Sequence, residues 1–502
     1  MVPVIDLFAG PGGLCEGFSS FLDENGKPVF QSIMSVEKDS EAHKTLRLRA
    51  YLRKILRPDG TVPRVYAQYM RYHTPDHLEK LIAYAPEKWA AAEREALCAT
   101  LVDGDMTLVE EARKRLSQLG VHDGQQWVLI GGPPCQAYSI VGRSRRAHDA
   151  TLEDDVKQTL YKCYLAFITE LKPTVFVMEN VKGLLSARRK GEGVFGRICA
   201  DMRAAGYEVR SLVSLNPTNP RDYIVRAEEY GIPQKRHRVI LLGVRAESEI
   251  ESDILEKVSP VTLKEALAGI PKIRSGFSDR SSAAPEENWA SYIDGAATRL
   301  LKTEEGKALS SPLERVIGCR PPRLTKKDTV SNAKGVYQDW YRARLSSYRV
   351  LANHEARSHM PTDLERYLFC AAFAEVNGKA ARIADFPSSL YPNHRNVKGL
   401  GAGDYIKFDD RFRVQLYDEP STTITAHIAK DGHYYIHPDP VQCRSLTVRE
   451  AARLQTFPDD YLFEGNRTSQ YTQVGNAVPP LLAQKIAGIV ATYLESESGQ
   501  EL

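Results

Sequence analysis

Cysteine is scarce in this chain: eight in 502 residues, at positions 15, 98, 135, 163, 199, 319, 370 and 443, with no C-x-x-C pair. That excludes a disulfide framework and a zinc ribbon, and predicts reduced thiols in a cytoplasmic protein. Long apolar runs are missing too. No run approaches the 18 residues of a membrane-spanning helix, so no membrane association is predicted. A strand-like run from Val2 onward predicts no signal peptide. Neither sign of charge dominates. The formal net charge is +3, so the total does not point to a polyanion. Internal repeats and low-complexity tracts are absent, which excludes a solenoid.

What is present is an ordinary globular composition, 42% hydrophobic and 26% charged. The length is too great for one compact core and predicts more than one domain. Charge is unevenly spread. Residues 44–71 hold eight Lys/Arg against one acid, and residues 320–360 hold nine against three. Residues 42–57 have the pattern of an amphipathic helix. Leu48, Leu52, Ile55 and Leu56 form one face, with Lys44, Arg47, Arg53, Lys54 and Arg57 largely off it. That outer face is expected to be a DNA-backbone surface, a partner site or simply solvated.

The first 245 residues alternate strand-like and helix-like patterns. Val2–Phe8, Ile33–Val36, Trp127–Ile130, Thr174–Met178 and Arg238–Val244 are short apolar runs bounded by Gly, Pro or polar residues. The alternation predicts an α/β fold with a doubly wound, mostly parallel sheet. After Arg245 it decays, so residues 246–440 are expected to form a second, smaller domain. Thr447-Val-Arg-Glu450 is a capping box that opens a helix, and Leu481–Leu494 predicts a last helix.

The residues that could carry chemistry gather at strand ends. Asp6-Leu-Phe8-Ala9-Gly10-Pro-Gly12-Gly13 follows the first strand. Its glycines allow a tight turn and close approach of a ligand. Glu37 ends the next strand, where an acid in this fold class binds ribose hydroxyls. The G-x-G-G spacing and Phe8 inside the turn disfavour a nicotinamide cofactor. Asp105, in Asp103-Gly-Asp-Met106, is a third candidate contact. Gly131-Gly-Pro-Pro-Cys135-Gln136 places a thiol on a rigid turn after another strand. Glu179-Asn180-Val181 puts a carboxylate at the same sheet edge. In Gln234-Lys-Arg236-His-Arg238, an extended chain points Gln234, Arg236 and Arg238 one way and Lys235 and His237 the other. His354, His359 and Cys370 match no usual zinc spacing, so no metal is expected.

Taken together these segments resemble the ordered motifs of the DNA cytosine-5 methyltransferase family. D-L-F-A-G-x-G-G, G-G-P-P-C-Q, E-N-V, Q-x-R-x-R, the segment Arg444–Asp459 and Gly475-Asn-Ala-Val-Pro-Pro480 occur in the family's order. They cover residues 1–245 and 441–495.

The resemblance implies transfer of a methyl group from S-adenosyl-L-methionine to C5 of a flipped cytosine in duplex DNA. Cys135 would add to C6, turning the ring into an enamine whose C5 can attack. Glu179 would hydrogen-bond or protonate N3 as charge builds there. Arg238, with Arg236 behind it, would hold the base oxygen. Phe8, Ala9, Gly10, Gly12, Gly13, Glu37, Asp105, Pro134, Leu160 and Asn476 match the cofactor end. Residues 138–150, with Ser139, Arg143, Arg145 and Arg146, match a loop that closes over DNA. Gln136 and Gln234 are further DNA-side candidates.

The implied domain plan is a catalytic and cofactor-binding domain at 1–245, a target-recognition domain at 246–440, and a return to the catalytic domain at 441–502. Within the recognition domain, residues 420–435 resemble major-groove reading loops. Thr425, or in the other register Thr423, is the expected reader. Implied partners are duplex DNA, bound as a monomer, and a companion nuclease or other defence-system protein. Two alternatives stand beside this reading. One is the tRNA-methylating branch of the family, which usually lacks a residue like Gln136. The other is a non-catalytic DNA-binding protein on the same scaffold.

Overall fold

The computed structural model describes residues 1–122, 125–134, 160–189, 192–246, 253–278, 286–323, 335–345, 348–392 and 409–498. Cys135, Gln136, Ser139, Arg143, Arg145 and Arg146 lie outside the described residues.

The apolar runs become the strands of one eight-stranded sheet: β1 (Val2–Leu7), β2 (Phe30–Glu37), β3 (Ala96–Cys98), β4 (Val128–Gly131), β5 (Val175–Val181), β6 (Tyr207–Arg210), β7 (Ile224–Arg226) and β8 (His237–Arg245). The order is β3-β2-β1-β4-β5-β8-β6, with β7 paired to β8. The five strands from β3 to β5 are parallel. β8 runs antiparallel to β5, β6 and β7. The central strands are apolar on both sides because both faces are covered. On one face Ile5, Leu7, Met34 and Phe176 pack against α6 (Thr107–Gln118), α7 (Leu160–Leu171) and α8 (Val194–Ala204). On the other, Val4, Phe30, Val128 and Ile240 pack against α1 (Gly13–Ser19) and α13 (Pro480–Ser498). The one described stretch apolar and long enough to cross a membrane, Arg467–Glu495, is mostly buried within the protein.

The chain winds β1-β2-β3 to one side and returns to β4-β5 on the other. The strand order therefore reverses between β1 and β4. Ligands of open α/β sheets bind in that crevice, beyond the carboxyl ends of the strands. Because β8 is antiparallel, its first residues reach the same edge, with Arg238 opposite Val181 and Ile240 opposite Glu179.

Between β2 and β3 lies a helical layer, α2 (Ser40–Ile55), α3 (Arg64–Tyr72), α4 (Pro75–Tyr84) and α5 (Pro86–Glu95). Asp39 starts α2 by accepting the backbone N–H groups of Glu41 and Ala42. Leu48, Leu52 and Ile55 bury as the periodicity predicts. The basic face departs from a phosphate-binding surface. Arg47 lies over the Trp89 ring and pairs with Glu93 at 3.0 Å. Arg53 pairs with Glu95 at 2.6 Å, and Lys54 bonds the same carboxylate. Arg49 is buried between Glu16 and Asp460, at 2.5 and 2.7 Å. All four of these carboxylates lie outside the 44–71 window, so its local count overstates the free charge.

Residues 246–440 carry a core of their own around α9 (Glu286–Leu300) and α10 (Pro361–Asn377), with Trp289, Leu313, Tyr367, Phe386 and Phe412. That core is narrower than the span. Leu255 joins the β-sheet core, and Leu345 and Val350 join the α2–α5 layer. Leu263, Ile424 and Tyr435 pack with α11 (Val448–Leu454) and α12 (Arg467–Asn476). The predicted capping box opens α11: Thr447 accepts the Glu450 N–H and Glu450 reaches back to Thr447.

Candidate active site

The β1–α1 turn is built by unusual backbone. Phe8 and Gly10 have φ of 57° and 58°, and Gly12 has 97°. Left-handed φ is costly for Phe8 and marks a site where the backbone is held for a purpose. Ala9 N–H bonds Val36 O at 3.0 Å, joining the turn to β2. Glu37, ending β2, accepts the Gly10 N–H at 2.8 Å through Oε2 and the Asp39 N–H through Oε1. Nothing within 4 Å would meet a Cβ on Gly10, so the space above it is open. Gly13 is the opposite: a Cβ there would sit 2.2 Å from Val478 O. That contact sets the chain just beyond Asn476 against the turn. Asn476 is exposed at the end of α12, and Asp105 is exposed before α6. The Thr107 side chain and then its backbone N–H hydrogen-bond Asp105 and hold its carboxyl below the usual range. Leu160 opens α7 and is 9% exposed within the core beneath.

Beneath the turn, Asp6 is fully buried and neither oxygen is in hydrogen-bonding geometry. Burial, then the Glu37 charge, push its pKa well above the usual range, while the nearby Cys15 amide opposes the shift.

At the adjoining edge, Pro133 and Pro134 follow β4 and lead to position 135. Asn180 Nδ2 donates to Pro133 O at 3.1 Å and fixes that turn. A Cβ on Gly132 would lie 3.3 Å from Glu179 Oε2. The proline turn and Glu179 are therefore neighbours. Arg238 Nε donates to Glu179 Oε1 at 2.8 Å, both side chains only partly exposed. Glu179, Arg238 and the turn carrying residue 135 meet at one edge beside the β1 crevice.

Two expected site residues have other employment. Arg236 is 2% exposed and its Nη1 donates to Ile424 O at 2.8 Å and Gly475 O at 3.3 Å. It holds backbone, with Arg238 between it and Glu179 in the strand order. Burial, then the Arg238 charge, push its pKa well below the guanidinium range. Gln234 is fully buried. Its Nε2 donates to Leu454 O and Gln455 Oε1, and its Oε1 accepts the Ile424 N–H. That amide has no free face for DNA in this arrangement. The sequence alternation of Gln234, Arg236 and Arg238 is right, but the inward side is mostly protein.

Thr423 Oγ1 donates to Lys235 O at 2.6 Å, and Thr425 Oγ1 lies 2.9 Å from Tyr435 Oη. Both threonines are half-buried. A Cβ on Gly475 would be 2.2 Å from Thr425 C and Ala426 N, so α12 supports this segment directly. Sequence reasoning missed Asn180, Tyr435 and that contact. Asn180 had a signal, since it follows Glu179 in a named motif. The other two depend on chain pieces far apart in sequence.

A doubly wound sheet with a built turn at its switch point defines a nucleotide-type α/β domain, here with an acid–arginine pair beside it. The comparisons narrow that class. A profile for C-5 cytosine-specific DNA methylases matches residues 87–491. The type II methyltransferase M.Bpa9945I of Bacillus paralicheniformis is 33% identical over 97% of this chain and 98% of its own. The type II methyltransferase M.AgeI of Thalassovita gelatinovora is 30% identical over 78% and 88%. The crystal structure of a candidate DNA-modification methyltransferase from an E. coli prophage covers 99% of this chain and 100% of its own, with TM-score 0.52 and 21% identity, a likeness of fold. The chain belongs to the C-5 cytosine-specific DNA methylase family and is a DNA (cytosine-5-)-methyltransferase.

Proposed function

We propose that this enzyme methylates one cytosine within a specific duplex sequence, as the modification half of a type II restriction–modification pair. The observation that carries the chemistry is the Glu179–Arg238 pair, 2.8 Å apart, beside the proline turn that leads to Cys135. The role of its relatives supports the biological setting, and with it a companion nuclease.

The donor, S-adenosyl-L-methionine, supplies an electrophilic methyl group. The open space over Gly10, the Glu37 carboxylate, the Phe8 ring, Asp105, Pro134, Leu160 and Asn476 would hold its adenosine and amino-acid parts. The target C5 lies inside the duplex, so the base must be flipped into the site. Cys135 thiolate forms a bond from Sγ to C6, and C5 becomes nucleophilic. Glu179 hydrogen-bonds N3 while Arg238 fixes Glu179 and meets the base oxygen. Transfer of the methyl group to C5 would leave S-adenosyl-L-homocysteine; a water molecule would then take the C5 proton, the C5–C6 double bond re-forms as the C6–Sγ bond breaks, and Cys135 departs as thiolate. Gln136, Ser139, Arg143, Arg145 and Arg146 would contact DNA, and Thr423 or Thr425 would meet base edges.

DNA carrying 5-fluorocytosine at the target decides the mechanism, because fluorine cannot leave as a proton. Wild-type protein is expected to be trapped covalently, and Cys135→Ser to be neither trapped nor active. Turnover of ordinary DNA without any trapped adduct would remove Cys135 from the reaction. Tritiated methyl transfer to tRNA but not to duplex DNA would overturn the substrate.

A further inference from the structure

The segment from Ser421 to Tyr435 is held at both ends by arginines that bond backbone carbonyls. At its start, Arg236 takes Ile424 O. Further on, Ala426–Ala429 forms a single 3-10 turn. The last carbonyls of any such turn lack helical partners and need donors from elsewhere. Arg357 supplies them. Its Nη1 donates to Lys430 O at 2.8 Å, and its Nη2 to Ile428 O at 3.0 Å and Ala429 O at 3.3 Å. Three consecutive carbonyls thus converge on one guanidinium.

The arginine is itself braced. Its guanidinium carbon lies 4.9 Å from the centroid of the Tyr471 ring on α12. Tyr471 is fully buried, and its hydroxyl donates to Leu446 O at 2.6 Å. Among the described residues Arg357 makes no ion pair, so its planar fork is committed to the turn. A lysine has three rotatable donors on one atom and cannot span three carbonyls while stacking on a ring.

We propose that Arg357 is a positioning residue for target reading. By holding residues 428–430 it fixes the direction in which Thr425–Lys430 face the duplex, and discrimination between sequences depends on that. It touches neither base nor cofactor. The inference rests on the reading that residues 420–435 recognise the target.

The test uses full-length wild type, Arg357→Ala and Arg357→Lys, after the wild-type target has been found by sequencing methylated cytosines. A wrong base pair ordinarily costs roughly 5- to 150-fold in binding. Arg357→Ala is expected to lower the ratio of kcat/KM on the target to that on single-base variants at least tenfold at one position. Affinity for S-adenosylhomocysteine should stay within twofold. Amide hydrogen exchange across 426–432 should rise at least tenfold without DNA. Arg357→Lys, which keeps the charge but not the planar fork, should fall between. It decides the matter if Arg357→Ala does not fold. Unchanged exchange in the folded variants overturns the clamp. Faster exchange with unchanged discrimination overturns the role in reading. A wild type that methylates no duplex defeats the proposed function instead, and the exchange result still judges the clamp.

Discussion

Arginines do different work in the α2–α5 layer and in the segment 421–435. In the layer they meet carboxylates. Arg49, Arg53 and Arg344 surround the buried Glu16 and Asp460, and Arg53 and Lys54 share Glu95. At the segment, the hydrogen bonds that Arg236 and Arg357 make among the described residues go to backbone carbonyls, and Arg357 also lies over the Tyr471 ring. A carboxylate cancels the arginine's charge and locks two elements together. A carbonyl leaves the charge in place and fixes the path of a chain. The first arrangement suits a permanent wall behind the β1–α1 turn. The second would suit a segment that, on the proposed reading, holds its shape beside DNA.

The contrast can be broken most forcefully at Arg49. Replacing it with alanine strands Glu16 and Asp460 in the core, and removing one partner of a buried pair typically costs about 3–5 kcal/mol. Denaturant unfolding of Arg49→Ala should show a loss of that size. A loss below about 1 kcal/mol would mean that Arg53 and Arg344 suffice.

Acid should separate the two regions. His354 is buried against Thr447 and Pro271 O, and its pKa is lowered to about 4, chiefly by burial. Burial also lowers His359 and His433 around Tyr367. A histidine kept neutral in the fold but protonated when unfolded adds stability above its unfolded pKa near 6.5. That stability is lost as pH falls from there toward about 4. For His354 alone the span corresponds to about 3 kcal/mol. The Glu16 carboxylate responds only at lower pH. Although burial raises its pKa, Arg49 and Arg344 hold it well below the usual range, so it stays ionised through this window. Hydrogen exchange at pH 5 against pH 7 should therefore loosen residues 354–367 and 433–450 before α1 and α2. Simultaneous loosening would show that the histidines do not control the region.

Gly475→Ala sharpens the other side. The added Cβ would meet Thr425 and Ala426 backbone at 2.2 Å. Overpacking of this kind costs typically about 1–3 kcal/mol. The variant should also lose target discrimination, as checked by methylation of single-base variants. Full discrimination would mean that α12 does not set the segment's position.

The smallest effect is expected from the double change Arg47→Gln with Arg53→Gln, read by DNA binding. Their partners are Glu93 and Glu95, so no phosphate contact should vanish. The slope of log affinity against log salt should stay within about 0.9, the share of one duplex phosphate contact. A drop of two such steps would restore a phosphate-binding role to α2.

Much of this molecule is local in origin and could be read from the chain. The parallel strands show themselves because burial on both faces demands unbroken apolar runs. The α11 capping box needs only Thr447 and Glu450, three residues apart. The gathering of Gly10, Gly132, Glu179 and Arg238 at one edge follows from each motif sitting at a strand end, together with the strand order. What the chain could not disclose depends on partners distant in sequence. Arg53 looked like part of an unpaired basic face because Glu95 is 42 residues away. The bonds of Arg236 and Gln234 to Ile424, some 190 positions later, could not be read from the sequence. Arg357 carries no motif, and its role exists only because three carbonyls 71 to 73 residues on arrive beside it. Periodicity and turn chemistry act over a few bonds, so sequence determines them. Charge neutralisation and the satisfaction of buried polar groups are settled by whichever groups packing brings within about 3 Å, and only the tertiary structure decides that.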